Sequence, residues 1–230
     1  MKTIGVLGGM SWESSAQYYA LINRAVRDRL GGIASAKFLM RSFDFAEIAR
    51  LQAEGEWEQL GVMLAEAAVR LEQAGADTIL IATNTMHLVA PKVQDAITIP
   101  LLHIADPLGA ALKTAGHARV GLLATRFTME QSFYVERLAA HGVEVIVPDE
   151  AERGELHRII FEELCAGELH KGSQDFACSA IADLDTRGAT AIALACTELM
   201  LLIKPEDSVL PLFDTTALHC EAAVDFALGD

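Results

Sequence analysis

The chain has little of what several common functions require. Its four cysteines, Cys165, Cys178, Cys196 and Cys220, form no CxxC pair and show no zinc-ligand spacing. Such thiols read as reduced and cytosolic rather than as a disulfide framework. Positive charge is scarce as well: 18 lysines and arginines face 32 aspartates and glutamates, for a net charge of −14. That balance argues against a nucleic-acid partner, which needs a basic face to neutralise phosphates. No uninterrupted apolar run reaches the roughly 18 residues of a membrane span. The amino-terminal MKTIGVLGGMSWESS has one lysine and an apolar run broken by glycines, so it reads as a first strand and not a signal peptide. A soluble, cytoplasmic protein without a membrane partner is expected. No HExxH or Cys/His grouping is present to hold a metal, and no lysine sits in a Gly/Ser-rich setting hinting at a pyridoxal phosphate Schiff base. Gly5, Gly8 and Gly9 follow the first apolar run, but GxGxxG spacing is missing and no acid closes a second strand at the required distance. A tight turn that lets backbone approach a small ligand fits better than a dinucleotide site.

What is present points to an α/β protein. Hydrophobic residues make up 52% of the 230 positions, enough to exclude disorder and to build one large domain or two small ones. The chain is organised around Gly75–His87, GADTILIATNTMH, where a short apolar run behind a glycine feeds Thr83, Asn84 and Thr85. Such a run is a buried parallel strand more readily than a helix, and open α/β sheets bind ligands at the carboxyl ends of their strands. The design recurs at Gly188–Glu198, GATAIALACTE. Counted from the glycine, the ninth residue closes the run in each copy, Thr83 in the first and Cys196 in the second.

The rest of the chain follows the same duplication. Strands are expected at Ile4–Leu7, Lys37–Ser42, around Ile79, and from Ile99. Between them, helices are expected over about Glu13–Leu30, within Phe43–Glu54, over Trp57–Gln73 and over Met86–Ala96. In the second half, Val120–Leu123 answers Ile4–Leu7, and Phe133-Tyr134 answers Tyr18-Tyr19 on the following helix. A strand at Val143–Val147 and helices at Glu152–Leu164 and Phe176–Thr186 lead to the Cys196 strand. Leu210–Phe213 then answers Ile99–Leu102, and a last helix covers about Thr216–Leu228. The period, a little over 110 residues, is too long for a solenoid. The expected architecture is α/β with two pseudo-symmetric lobes, each a mostly parallel sheet flanked by helices, and the site in the cleft between them. Residues 1–98 with 213–230 form the Thr83 lobe and 99–212 the Cys196 lobe. No Pro/Gly-rich linker separates them.

Each candidate residue also has an ordinary reading. Free cysteine is usually buried and inert, and for Cys165, Cys178 and Cys220, all on helices, packing is the better account. Cys196 differs because Thr197 and Glu198 follow it at a strand end; a helix starting there would lower its pKa and favour the thiolate. Thr83, Asn84 and Thr85 offer convergent donors for a carboxylate, although an Asx or ST turn would use the same residues. Thr125 and Thr128 in ATRFTM are the equivalent cluster of the second half. Two such clusters favour a small dicarboxylate or amino-acid substrate. The histidines are scattered and mostly structural, with His87, so near Thr83, the one to follow.

At this point the chain resembles the aspartate/glutamate racemase family, whose members work without a cofactor. The resemblance runs almost end to end, through GVLGGMSWESS, NTMH, IPLLHIAD, LLATRFTMEQSFY, IIFEELCAG, ALACTEL and VLPLFDTTALH. It implies two pseudo-symmetric lobes, often a homodimer, and a cysteine at each of two strand ends, one thiolate removing the Cα proton while the opposite thiol delivers one. Carried onto this chain, Cys196 is the second cysteine and Thr83 stands where the first belongs. That departure is similar to a subgroup of broad-specificity or L-aspartate/glutamate racemases. By the same carry-over Met10, Gln52, Asn84, Thr85, Thr125 and Thr197 are substrate contacts. Gln52 replaces a residue that is often basic.

The function so implied is a pyridoxal-phosphate-independent racemase, an isomerase inverting the α-carbon of L-aspartate, L-glutamate or a related amino acid. The Cys196 thiolate is the base, and Thr83, or a water it holds, serves the opposite face. Two alternatives remain open at this stage: a cofactor-free decarboxylase or isomerase of small dicarboxylates using Cys196 alone, and a non-catalytic amino-acid-binding protein.

Overall fold

The computed structural model describes residues 1–229. The chain divides into two compact units, residues 1–104 with 219–230, and residues 105–218.

The first unit opens with β1 (Thr3–Gly8), α1 (Trp12–Leu30), β2 (Lys37–Ser42), α2 (Phe45–Glu54), α3 (Trp57–Gln73) and β3 (Thr78–Ile81). Ser11 caps α1 by accepting from the Ser14 N–H, and Gly31, at φ 78°, ends it. The strands form a parallel sheet in the order β2-β1-β3, with Leu7 opposite Ile81 and Val6 opposite Met40. Because side chains alternate across a strand, the central strand feeds two apolar layers. Leu7, Ile79 and Ile81 pack with Leu60, Leu64 and Ala68 of α3 and Leu51 of α2. Ile4, Val6 and Leu80 pack on the other face with Tyr18, Ile22 and Val26 of α1 and with Cys220, Ala223 and Val224 near the carboxyl terminus. Gly5 is where β1 is approached most closely: a β-carbon there would lie 2.9 Å from Cβ of Ala76.

Two expectations for the segment after β3 need correction. The helix expected over Met86–Ala96 is a 3₁₀ turn at Thr85–Val89 followed by α4 (Ala90–Asp95). The regular helix starts beside Pro91, which has no N–H to give and is suited to a first helical turn. The strand expected from Ile99 is a single parallel bridge between Ile79 and Leu101. Ile79 N–H donates to the Pro100 carbonyl and Leu102 N–H to that of Ile79, each at 3.0 Å. Pro100 itself has no N–H with which to extend the ladder. This bridge ties residues 99–102 to the first unit's sheet, so the unit boundary falls after Ile104, a few residues beyond the expected 98/99. The return crossing likewise falls after Leu218 rather than after 212.

The second unit contains α5 (Ala105–Thr114), β4 (Arg119–Ala124), α6 (Arg126–Glu130), α7 (Ser132–Ala139), β5 (Glu144–Ile146), α8 (Glu150–Arg158), α9 (Lys171–Thr186), β6 (Ala191–Ala195), α10 (Leu199–Leu202) and β7 (Leu212–Asp214). The last helix, α11 (Thr215–Leu228), begins here and returns to the first unit. The sheet is parallel, in the order β5-β4-β6-β7. The helix expected to carry Phe133-Tyr134 is α7, set off from the short α6 by Gln131, which is extended at φ −84° and ψ 145°. The one expected over Glu152–Leu164 starts at an Asp149–Glu152 capping box and gives way to a π turn at Ile159–Glu163.

The internal repeat extends to individual hydrogen bonds. Ile192 N–H donates to the Pro211 carbonyl at 2.9 Å, matching the Ile79–Pro100 bond of the first half. Here, however, the strand continues past the proline, pairing Ile192, Ala193 and Leu194 with Leu212, Phe213 and Asp214. Gly121 in β4 mirrors Gly5, its would-be β-carbon lying 2.7 Å from Cδ1 of Ile192.

Candidate functional site

In the first unit, the polar residues gather where β3 ends. Thr83 lies two residues beyond the strand and is half-buried, whereas Asn84 and Thr85 are buried at the start of the 3₁₀ turn. Ser14 Oγ donates to the Ala82 carbonyl at 2.9 Å, and His87 Nδ1 meets the Thr83 carbonyl at 2.8 Å. Met10 is buried just beyond β1, in the apolar cluster that also holds Leu51 and Met86. Gln52, buried on α2, donates its Nε2 to the Met86 thioether at 3.1 Å. A thioether is a weak acceptor, so the carboxamide gives up little by turning to a better partner. The structure thus brings Thr83, Asn84 and Thr85 together, with Gln52 bonded to Met86 and Met10 in the same apolar cluster as Met86.

A histidine cluster sits behind this strand end. His87 and His103 have ring centroids 4.6 Å apart, and His87 and His219 5.7 Å apart. Burial, reinforced by His103 and His219, pushes His87 well below the ordinary histidine range. The sign is that of a base held neutral: its contribution to stability is complete above the unfolded value near 6.5 and is lost as pH falls below it.

In the second unit, the β4–β6 ladder ends with Ala124 opposite Ala195. Thr125 and Cys196 are therefore the next residues of neighbouring strands, side by side at the carboxyl edge. Thr125 Oγ1 lies 3.3 Å from Thr128 Oγ1, and both residues are buried. Cys196 is 8% exposed, and its Sγ donates to Glu198 Oε2 at 3.1 Å. Thr197 Oγ1 donates to that same oxygen at 2.5 Å. One carboxylate oxygen thus gathers the thiol and the hydroxyl.

This arrangement corrects the expected state of Cys196. A helix does follow, but it is the four-residue α10 (Leu199–Leu202), and the thiol is pushed well above its ordinary range. Burial is the largest cause, followed by the charge and hydrogen bond of Glu198, with a smaller push from Cys165. The Glu198 backbone N–H works in the opposite sense and is outweighed. Cys196 therefore rests as a thiol, not as the thiolate. Glu198 is the residue that sequence reasoning left in the background; its signal was its place two residues beyond the strand-end cysteine. Of the other cysteines, Cys220 is buried in the first unit's core, and Cys178 is raised by burial and by Asp207.

Among the described residues, no group of three or more His, Cys, Asp or Glu side chains is placed to hold a metal ion, and no helix is long and apolar enough to cross a membrane.

The geometry can be set beside known proteins. Residues 7–223 match the Asp/Glu/Hydantoin racemase family. The broad specificity amino-acid racemase RacX of Bacillus subtilis (strain 168) is 24% identical over 174 residues, spanning 75% of this chain and 74% of that one. Among solved structures, a candidate Asp/Glu racemase from Yersinia pestis is 48% identical, with a TM-score of 0.92 over 99% of this chain and 100% of its own. An aspartate racemase homologue from Pyrococcus horikoshii OT3 is 34% identical, with a TM-score of 0.86 over 99% of this chain and 100% of its own. With nearly its whole length matched, the chain belongs to the Asp/Glu/Hydantoin racemase family of enzymes.

Proposed function

We propose that this enzyme is an amino-acid racemase that inverts the α-carbon of L-aspartate, L-glutamate or a related amino acid without pyridoxal phosphate. Cys196 and Glu198 serve one face of Cα and Thr83 the other. The observation that carries the reading is the Cys196 thiol resting on the Glu198 carboxylate at the end of the strand that repeats the Thr83 strand.

A raised thiol cannot wait as a base, but its proton has somewhere to go. In the proposed sequence Sγ passes its proton to Glu198 Oε2, and the thiolate so formed takes the Cα proton of the L-enantiomer. The carbanion spreads its charge onto the substrate α-carboxylate, where hydroxyl and N–H donors stabilise the transition state. Asn84, Thr85, Thr125 and Thr197 are the proposed donors, with Met10 and Gln52 lining the substrate. On the opposite face the Thr83 hydroxyl, or a water it holds, gives Cα a proton and recovers one from solvent as Glu198 loses its own. A hydroxyl is a much weaker acid than a thiol, so this second transfer is the slow one. Solvent deuterium should therefore enter L-substrate faster than inversion occurs. Free enantiomers still equilibrate one to one, so the bias lies in rates and binding together.

Thr83 is tested by a pair of variants. Thr83→Val keeps the shape, removes the hydroxyl, and should lower inversion by about 10²-fold while wash-in persists. Thr83→Cys should raise turnover of D-aspartate or D-glutamate. A folded Thr83→Val enzyme that inverts normally, or a folded Thr83→Cys enzyme no better with D-substrates, would remove Thr83 from the mechanism.

A second reading is favoured by the resting thiol itself, which is well suited to protonating an enolate after loss of carbon dioxide. Carbon dioxide released from substituted malonates, with no Cα exchange in amino acids, would select that chemistry. A second copy of the chain is a further proposed partner, in a homodimer of the kind the family resemblance implies.

A further inference from the structure

His87 occupies a place that ordinary helix geometry would give to a backbone amide. In an α-helix the N–H of residue 87 would bond the carbonyl of residue 83. The 3₁₀ turn instead sends the His87 N–H to the Asn84 carbonyl at 3.1 Å. The Thr83 carbonyl is thereby left without its helical donor, and the His87 side chain supplies one, with Nδ1 2.8 Å away. The other ring nitrogen is spoken for too: the Ile104 N–H donates to Nε2 at 3.2 Å. Nε2 must then be the acceptor and Nδ1 must carry the proton, because a carbonyl can only accept. One neutral tautomer satisfies both contacts.

The consequence falls on Thr83. The peptide planes on either side of its α-carbon are both held by side chains, the Ala82 carbonyl by Ser14 Oγ at 2.9 Å and the Thr83 carbonyl by His87. With both planes held, the direction of the Thr83 Cα–Cβ bond is set, leaving its hydroxyl only the staggered positions about that bond. The groups facing His87 keep it in that form. His103 lies against its ring on one side, and His219 on another. His219 is itself held, Nε2 donating to the Leu102 carbonyl and Nδ1 accepting from the Tyr18 hydroxyl, each at 2.8 Å.

We propose that His87 is a positioning residue for Thr83: its Nδ1–H tautomer aims the Thr83 hydroxyl at the substrate, and it serves only the slow face of the reaction. This rests on the reading of Thr83 as the second proton-transfer group. A displacement of about 1 Å at a reacting group costs about 10²-fold in rate, so the effect is measurable.

The test uses three measurements. In the wild-type enzyme, ¹⁵N NMR of His87 should show Nδ1 protonated and Nε2 bare, unchanged across the range of about pH 5.5 to 8 where an ordinary imidazole titrates. Asparagine can place an amide N–H near the Nδ1 position and glutamine near Nε2. His87→Asn should therefore invert L-substrate within about threefold of wild type, whereas His87→Gln should lose about 10²-fold. Deuterium wash-in from the Cys196 face should change less than about threefold in both. An Nε2–H tautomer or an ordinary titration overturns the proposal without any variant having to fold. Equal loss of wash-in and inversion, or equal behaviour of the two variants, overturns it as well. Thr83→Val separates the two layers of argument. If it leaves inversion intact, the reading of Thr83 fails; if it stops inversion while His87→Gln does not, only the role of His87 fails.

Discussion

Cys196→Ala is expected to slow Cα exchange of L-aspartate or L-glutamate by about 10³-fold, the middle of the range for a general acid–base group, while leaving the fold intact. The fold should survive because the change deletes one small buried atom at a strand end, and the core of the second sheet lies behind it. Loss should appear equally in wash-in and inversion, since both begin with proton removal by this sulfur. Cys165→Ala and Cys220→Ala should keep their activity. Cys220 packs among Ala223, Val224 and Tyr18, where an alanine methyl group leaves only a small gap. Full activity in Cys196→Ala, or complete loss in either of the other two, would show that the wrong thiol has been placed at the reaction.

Glu198→Gln separates two opposite roles for the carboxylate. If Glu198 only burdens the thiol, removing its charge lowers the Cys196 pKa, makes thiolate easier to form and speeds exchange. If it receives the Sγ proton, glutamine keeps the shape, loses the acceptor and slows exchange by about 10²-fold near neutral pH. The second outcome is expected, because the thiol is buried and its proton points at Oε2. The pH dependence carries the sign. In the variant the Sγ proton must leave to solvent, so the residual rate should climb with pH until the thiol, still raised by burial, titrates. A Glu198→Gln enzyme faster than wild type at neutral pH would contradict the proton-acceptor role.

Much of the fold could be read from residue pattern. Lys37–Ser42 and Trp57–Gln73 have the expected bounds, because each has flanking breakers and a clear apolar period. The Gly-Ala entries of the two repeats did place Thr83 and Cys196 at the ends of β3 and β6. Local pattern was weaker where partners lie far along the chain. The bridge at Leu101 depends on which strand Pro100 meets, and α5 (Ala105–Thr114), with a proline in its first turn, was not anticipated. The state of Cys196 was legible least of all. A strand end followed by polar residues suggests exposure and a helical N-terminus, yet the thiol is covered and its neighbour Glu198 is turned back onto it. Spacing placed the pair, but burial decided their chemistry. His87 shows the same division: its nearness to Thr83 was visible, whereas the bond to Ile104 that selects its tautomer joins residues far apart in sequence.

The most direct measurement is made on the unaltered enzyme in deuterium oxide, with no pyridoxal phosphate added, on L-aspartate, L-glutamate and a panel of other L-amino acids. Proton NMR follows the Cα signal while chiral chromatography follows the D-enantiomer. The expected result is loss of the Cα proton signal ahead of the appearance of D-enantiomer, with the two enantiomers approaching equal amounts at long times. An unchanged Cα signal and no D-enantiomer from any member of the panel would contradict amino-acid racemisation by this site.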